Sequence, residues 1–230
     1  MPRLTRMLIC FVTLTLTLAS IAAADPAAVG ELGDPDRIQF VGNATFDSKQ
    51  LRSALGFNMD ILLAGHPETP LDDLLSLLEH KVRDGYRHLG FAEATVTARF
   101  DQTRPAIVVT IEEGVRSVCG KIDITGATTI DVERLRARLT SPRLEQTQPP
   151  KSHQALWRVG KPASFADGHW LGQREEFKKV FHTLGYFDAR FAIRTRPESD
   201  GTATLVVDIQ DEGPRAVLSR DACRRQRTAW

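Results

Sequence analysis

The hydrophobic positions of this chain follow the same order twice. Between Pro70 and about Leu89, apolar residues recur at the spacing of an amphipathic helix: Leu71, Leu74, Leu75, Leu78, Val82 and Leu89. Val96, Ala98 and Phe100 then alternate with polar residues, as in a half-buried strand. The succession returns with a predicted helix over about 164–184, carrying Leu171, Phe177, Val180, Phe181 and Leu184, and a strand with Phe191 and Ile193. A repeat at this spacing predicts two small modules of one kind.

Glycines mark the corners of each predicted module. Gly90 and Gly185 each stand between a helix and the next strand, where a left-handed residue is favoured and glycine adopts it without steric cost. Each module also opens with an apolar strand closed by a glycine, and ends with two acidic residues and a glycine. The predicted structural turn residues are Gly42, Asn43, Gly90, Gly114, Gly126, Gly185 and Gly213.

The remaining segments are shorter or less periodic. Asp47 or Ser48 is expected to cap a short helix, and a second short helix begins after Asp131. We expect residues 58–70 to be irregular, since Gly65 and Pro67 break any periodicity. Residues 141–163 form a long polar connector that contains Trp157. In the strand that opens the second module, Val118, Ile122 and Ile124 are predicted on one face, and Cys119, Lys121 and Asp123 on the other.

The amino terminus has the three parts of a secretory signal. Arg3 and Arg6 precede an apolar run from Met7 to Ile21, and residues 22–24 offer a small-residue cleavage site. Residues 1–24 are therefore predicted to be a signal peptide, with an uncleaved anchor as the alternative. Its removal leaves Cys119 and Cys223, which form one disulfide in an oxidising compartment or remain free.

The charge balance excludes a general polyanion-binding protein. Lys and Arg total 30 against 29 Asp and Glu. Removing the two arginines of the predicted signal leaves 28 − 29 = −1. Without a basic excess there is little counterion release to drive binding to nucleic acid.

The order strand–helix–helix–strand–strand resembles that of a known family. Ile-x-Phe-x-Gly-Asn opens the first module, Gly-Tyr-x-x-Leu-Gly-Phe-Ala-Glu-Ala-x-Val lies within it, and Val-Thr-Ile-Glu-Glu-Gly closes it. Together these motifs resemble a POTRA (polypeptide-transport-associated) domain of the BamA/TamA outer-membrane biogenesis family. The resemblance covers about residues 36–215. The second module departs from the pattern, since Ile-Thr-Gly-Ala replaces the usual Gly-Asn and its connector is longer.

The resemblance implies an α+β fold of two tandem POTRA-like modules, each with a helix pair packed on a three-stranded mixed sheet. Residues 25–35 would be a linker, 36–115 the first module, 116–215 the second with 141–163 inserted, and 216–230 a basic tail. In the family, such modules lie in the periplasm in front of a β-barrel. This chain shows no barrel-like succession of strands, so a free-standing adaptor and a truncated assembly protein both remain open.

The family also implies the partners and the binding site. Its modules hold unfolded outer-membrane clients or periplasmic lipoproteins, and dock to an outer-membrane β-barrel protein. An extended peptide adds to the exposed second strand of the sheet, whose unpaired N–H and C=O groups it completes. The implied edge residues are Ala94, Thr95, Val96, Thr97, Ala98, Arg99 and Phe100 in the first module, and Ala189, Arg190, Phe191, Ala192, Ile193 and Arg194 in the second. The alternative is that these edges are solvated or covered by the neighbouring module.

No catalytic, cofactor-binding or metal-binding motif is present. The six histidines lack zinc-ligand spacing, and no nucleophile elbow, phosphate-binding loop or dinucleotide fingerprint occurs. We expect a non-enzymatic protein without cofactor. Two alternatives stay open: a periplasmic scaffold held by an uncleaved anchor, and a small secreted enzyme using residues 141–163 as its active-site loop. The arginines of the tail allow peripheral contact with anionic lipid.

Overall fold

The computed structural model describes residues 28–145 and 151–216, without the side chains of 143–145 and 151–153. The predicted signal peptide, Cys223 and the basic tail beyond residue 216 lie outside this range. Within it, no helix has the length and apolar character needed to cross a membrane. The elements in chain order are β1 (Gln39–Val41), α1 (Ser48–Gly56), α2 (Met59–Ala64), α3 (Leu71–His88), β2 (Thr95–Asp101), β3 (Ala106–Glu112), β4 (Val118–Thr125), α4 (Val132–Thr140), β5 (Arg143–Glu145), β6 (Lys151–His153), α5 (His169–Thr183), β7 (Arg190–Pro197) and β8 (Thr202–Asp211).

Two three-stranded sheets with the same topology confirm the predicted α+β fold of two modules. The strand order is β1–β3–β2 in the first sheet and β4–β8–β7 in the second. In each, the central strand pairs parallel with the first strand and antiparallel with the strand of its own hairpin. The helices cover one face of each sheet, and each module has its own hydrophobic core.

The first core begins earlier in the chain than expected. Val29 is buried, and its N–H donates to the Thr69 carbonyl at 2.9 Å, so part of the predicted 25–35 linker packs into the module. Residues 58–70, expected to be irregular, contain α2. Asn58 Oδ1 caps this helix by accepting from the N–H groups of Asp60 and Ile61. Leu89, predicted on the buried stripe of α3, is 38% exposed at the end of the helix, and Tyr86 is buried in the core instead.

A β-bulge changes the faces of β4. The pairing with β8 shifts between Cys119 and Ile122, so three steps along β4 oppose two along β8. Both Cys119 and Ile122 therefore face the core, which corrects the prediction that they lie on opposite faces. Cys119 is a buried thiol whose Sγ lies 3.7 Å from the Pro162 carbonyl oxygen. Because Cys223 lies outside the described residues, their pairing stays a prediction.

The connector belongs to the second core more than its polar composition suggests. Trp157 is 1% exposed and donates from Nε1 to the Gly120 carbonyl at 2.8 Å, so it is part of the core. The helix predicted over 164–184 begins only at His169, and Leu171, predicted on its buried stripe, is 76% exposed. Residues 163–166, which precede it, are buried but belong to no helix or strand, and Gly168 directly precedes the first helical residue.

A glutamate at the end of each central strand holds the loop before the first helix. Glu113 accepts from the Thr45 N–H at 2.8 Å and from the Tyr86 hydroxyl at 3.1 Å. Glu212 accepts from the N–H groups of Thr128, Thr129 and Ile130. Burial alone would raise the pKa of Glu212, but these hydrogen bonds outweigh it and lower the pKa to about 2.

The six glycines predicted at turns all have positive φ. At four of them an added Cβ would also lie under 3.0 Å from a backbone oxygen, and the approach is closest at Gly42 and Gly126. A Cβ on Gly42 would lie 2.1 Å from the Ile111 carbonyl oxygen, and one on Gly126 would lie 2.0 Å from that of Ile209. Both glycines let the chain leave the first strand against the backbone of the central strand. Asn43, the other predicted turn residue, donates from Nδ2 to the Phe46 carbonyl at 2.8 Å.

Replacing Gly126 by alanine should destabilise the protein by more than the cost of positive φ, because the new methyl group collides with backbone. The matched control is Gly201→Ala, which has a similar φ of 78° but open space around the added Cβ. We expect about 1 kcal/mol for the control and clearly more for Gly126→Ala, from urea unfolding midpoints. Equal losses would contradict the steric argument.

Glu212→Gln should weaken the protein by about 1–3 kcal/mol at neutral pH, since the amide cannot replace a carboxylate that accepts several bonds. The folded pKa lies below the ordinary value of 4.5, so the carboxylate stabilises the fold above pH 4.5 and loses this contribution as the pH falls toward 2. Urea unfolding between these limits should therefore show a steeper loss for the wild type than for the variant. The exposed Glu93→Gln serves as control, and identical pH profiles for wild type and Glu212→Gln would exclude the predicted coupling.

Candidate functional site

The two strands predicted to bind peptides are both outer strands of their sheets. β2 flanks β3 and β7 flanks β8, with no strand on their far sides among the described residues. Ala94 and Ala189, predicted within these edges, precede the strands, and Ala94 is buried. Val96 and Phe191 also turn into their cores, whereas Thr97, Arg99 and Arg194 are exposed.

The opposite edge of the second sheet is covered by the chain itself. At β4, the Cys119 N–H donates to the Lys161 carbonyl at 2.7 Å, and the Gly160 N–H donates to the Cys119 carbonyl at 2.8 Å. The connector thus supplies the backbone partners that an added strand would otherwise supply. The open long edge of this module is therefore β7.

A side chain occupies the middle of the β2 edge. The Ala98 N–H points away from β3 and donates to Glu79 Oε1 of α3 at 2.8 Å. Because backbone groups alternate in direction along a strand, those of Val96 and Phe100 face the same edge. An incoming strand would have to displace the Glu79 carboxylate to pair with Ala98.

The corresponding groups of β7 are not occupied in this way. At the hairpin end, the Glu198 N–H donates to the Thr202 carbonyl at 2.9 Å, so by alternation the N–H groups of Ile193 and Thr195 face the outer edge. No described side chain accepts from either of them. Pro197, next in this alternation, has no N–H to offer, as is common at sheet edges.

A groove runs beside β7 and has a volume of about 320 Å³. Its walls are the edge of β7, the first turns of α5 and the segment that precedes α5, together with one residue of the first module. The residues lining it include Arg87, Asp167, Trp170, Leu171, Arg174 and Ile193. Trp170 donates from Nε1 to Thr195 Oγ1 at 2.8 Å, which fixes the indole ring against the edge strand.

Contacts between the modules shape the mouth of this groove. The Phe165 N–H donates to the Arg87 carbonyl at 2.9 Å, so the end of α3 rests on the segment before α5. The Arg87 guanidinium also pairs with Asp167 at 3.1 Å. Asp167, the acidic residue of the groove wall, is thus already engaged.

A second cavity of about 410 Å³ lies beside the connector and carries polar groups. There His88 Nδ1 lies 3.2 Å from Ser164 Oγ, and the His88 ring meets the ring of His169 edge to face. Burial, and then the neighbouring His88, lower the pKa of His169. No described carboxylate accepts from the His88 ring, and Ser164 is itself buried, so this contact lacks the orienting acid and the access of a nucleophilic site. Within the described residues no cluster of three or more His, Cys, Asp or Glu side chains is arranged to hold a metal ion.

Sequence reasoning found both edges but missed the side chains that distinguish them. Glu79, Arg174 and Leu171 lie on helices, and nothing in one module alone connects them to a strand edge. The internal repeat carries the missing signal. With Gly90 matched to Gly185, Glu79 corresponds to Arg174 and Ala98 corresponds to Ile193.

Comparison with known families identifies the first module. Residues 36–114 match the POTRA family model, described as "Surface antigen variable number repeat". The first module is therefore a POTRA domain, as its motifs predicted. The second module shares its sheet topology and is POTRA-like.

Solved structures similar to the chain include POTRA domains 3–5 of BamA from Haemophilus influenzae, with 17% identity and a TM-score of 0.40 over 82% of this chain and 74% of that one. POTRA domains 1–2 of the periplasmic domain of Omp85 from Anabaena share 13% identity, with a TM-score of 0.40 over 80% of this chain and 95% of that one. CdiB from Escherichia coli shares 15% identity, with a TM-score of 0.38 over 88% of this chain and 30% of that one. The chain thus spans less than a third of the CdiB chain. No curated protein sequence matches significantly.

Removing the carboxylate of Glu79 should expose the Ala98 N–H to solvent. In Glu79→Ala, we expect the Ala98 amide to exchange its hydrogen up to about tenfold faster, as the loss of one charge-assisted hydrogen bond implies. Hydrogen exchange followed by NMR measures this, and the Ile193 amide in the same sample provides the control, since it should not change. An unchanged Ala98 rate would mean that Glu79 does not protect this edge.

Proposed function

We propose that the protein is a periplasmic polypeptide-binding module that acts in outer-membrane protein assembly or protein translocation. It binds an extended segment of its partner by adding that segment to β7. The observation that carries this proposal is the pair of outward N–H groups at Ile193 and Thr195, which no described side chain occupies, beside a groove that both residues line.

The edge of β7 has the physical properties of a strand acceptor. Each backbone hydrogen bond to an added strand contributes about 0.5–1.5 kcal/mol net and makes little demand on the partner's side chains. Leu171 and Trp170 offer apolar surface where alternate side chains of that strand would rest. Trp170 is held by Thr195, so this surface needs little ordering on binding.

The family supports the compartment and the class of partner. A POTRA domain forms the first module, and the similar Anabaena protein is described as the periplasmic domain of Omp85. The proposed partners are an outer-membrane β-barrel protein, unfolded outer-membrane client polypeptides or periplasmic lipoproteins, with peripheral membrane contact as an addition. The β2 edge is a second, weaker site, since a partner must first displace Glu79.

A photoreactive residue at Leu171 tests the proposal in the native host. Leu171 is 76% exposed on the groove wall, so illumination should crosslink it to a barrel protein, an outer-membrane precursor or a lipoprotein. Val159, 67% exposed on the connector, is the matched control and should capture none of these. Thr97 reports on the β2 edge and should give less product. Absence of adducts at both Leu171 and Thr97 in an abundant, folded protein would refute edge binding.

A further inference from the structure

We infer that the β7 edge selects segments that carry an acidic side chain, and that Arg174 is the residue that recognises it. This inference rests on the proposed function, because it assumes that β7 accepts a strand. It goes further by assigning a charge preference to the second module that the first does not share.

The two modules carry opposite charges at one helical position beside the edge strand. The same helical position carries Glu79 in the first module and Arg174 in the second. The offset of ninety-five residues between them is the same as that between Ala98 and Ile193. In the first module the acid accepts from the outward N–H of the edge strand, at 2.8 Å. In the second module, the arginine has no lone pair to accept a hydrogen bond. The equivalent N–H of Ile193 therefore stays available to an acceptor from a partner.

Arg174 also lies close to the edge strand itself. Its guanidinium carbon lies 5.5 Å from the centre of the Phe191 ring on β7, so the charge is held over the start of the edge strand. No described carboxylate forms an ion pair with Arg174 or with the nearby Arg194. The acid of the groove wall, Asp167, is already paired with Arg87. The groove therefore presents an excess of positive charge.

These features fit a ligand that brings its own acceptor groups and a carboxylate, which the first module supplies through Glu79. Its backbone pairs with the Ile193 and Thr195 groups, and one of its side-chain carboxylates lies against Arg174, on the side where Glu79 lies in the first module. Such a carboxylate satisfies the guanidinium with charge-assisted hydrogen bonds. A lysine at the same place in the ligand would meet like charge.

Peptide binding to the full-length protein tests the inference. The probes are fluorescein-labelled peptides of eight residues, blocked at both ends, alternating valine and threonine with one central aspartate, asparagine or lysine. Fluorescence anisotropy should give at least about tenfold tighter binding for aspartate than for asparagine, and weaker binding still for lysine. The difference should shrink as salt rises.

Substitutions at position 174 separate recognition from folding. Arg174→Gln should abolish the preference for aspartate over asparagine while the asparagine peptide still binds. Arg174→Glu should also weaken the asparagine peptide, because the new carboxylate can accept from Ile193 as Glu79 does from Ala98. Arg134→Glu, an exposed reversal on α4 away from the groove, should leave all three affinities unchanged. Circular dichroism and urea midpoints establish that each variant is folded.

The outcomes distinguish the inference from the proposed function. Equal affinity for the aspartate and asparagine peptides, or a preference that survives Arg174→Gln, overturns the inference and leaves strand addition intact. Failure of all three peptides to bind the wild type, at concentrations up to about 1 mM, removes the proposed β7 site itself. Loss of the preference in Arg134→Glu would show a diffuse charge effect and also contradict the role of Arg174.

Discussion

Each module depends on a carboxylate at the end of its central strand, partly buried at Glu113 and buried at Glu212. That strand pairs with both other strands of the sheet, and its last residues meet the loop that leads from the first strand into the first helix. Glu113 and Glu212 bind that loop through its backbone N–H groups, so the sheet and the helices cannot separate without breaking several charge-assisted bonds at once. At Glu212, the cost of burying the ionised group is offset by the hydrogen bonds that both of its oxygens accept from residues 128–130.

In each module, the glycine after the long helix, Gly90 or Gly185, binds the segment of chain that follows the module. At the end of the first module, the Ser117 N–H donates to the Gly90 carbonyl at 2.8 Å, and Phe91 bridges to Arg116. At the end of the second, the Ala216 N–H donates to the Gly185 carbonyl at 2.8 Å, and Tyr186 bridges to Arg215. The first junction adds the contact of Phe165 with Arg87, which brings a residue of the first module to the groove beside β7.

The hydrophobic pattern of the sequence predicted the regular helices and strands. The errors lie where a bulge or a tertiary contact interrupts the regular alternation of buried and exposed residues. Alternation placed Val96, Ala98 and Phe100 correctly, since Val96 is buried in the first core and the other two pack against it. It failed at Cys119, because one extra residue in β4 reverses the alternation there. Gly120, inside this bulge, is the signal that the alternation alone did not use.

The helix at 164–184 was predicted too long for a related reason. Residues 163–166 are buried, and the Phe165 N–H donates to the Arg87 carbonyl at the end of α3. The sequence alone cannot separate this tertiary contact from the start of a buried helical face. Leu171 therefore counted as core although it lies on the groove wall. The candidate site could not be predicted from the sequence for the same reason. Glu79 and Arg174 come close to the edge strands only because the folded chain places their helices beside those strands.

The two edges show how a repeated fold can acquire different properties from a single position. An unpaired edge strand is a hazard as well as a binding site, and proteins restrain it with charges, prolines or covering segments. Glu79 restrains β2 by filling its central donor, and residues 160–163 restrain β4 by pairing with it. At β7 the restraint is limited to Pro197 at one end and to positive charge along the helix. Positive charge disfavours association with a second copy of the same edge, because Arg174 and Arg194 would then meet their equivalents. The same charge leaves the edge open to a strand of opposite charge. Under the proposed function, protection against self-association and selection of a partner would therefore both arise from one substitution in the repeat.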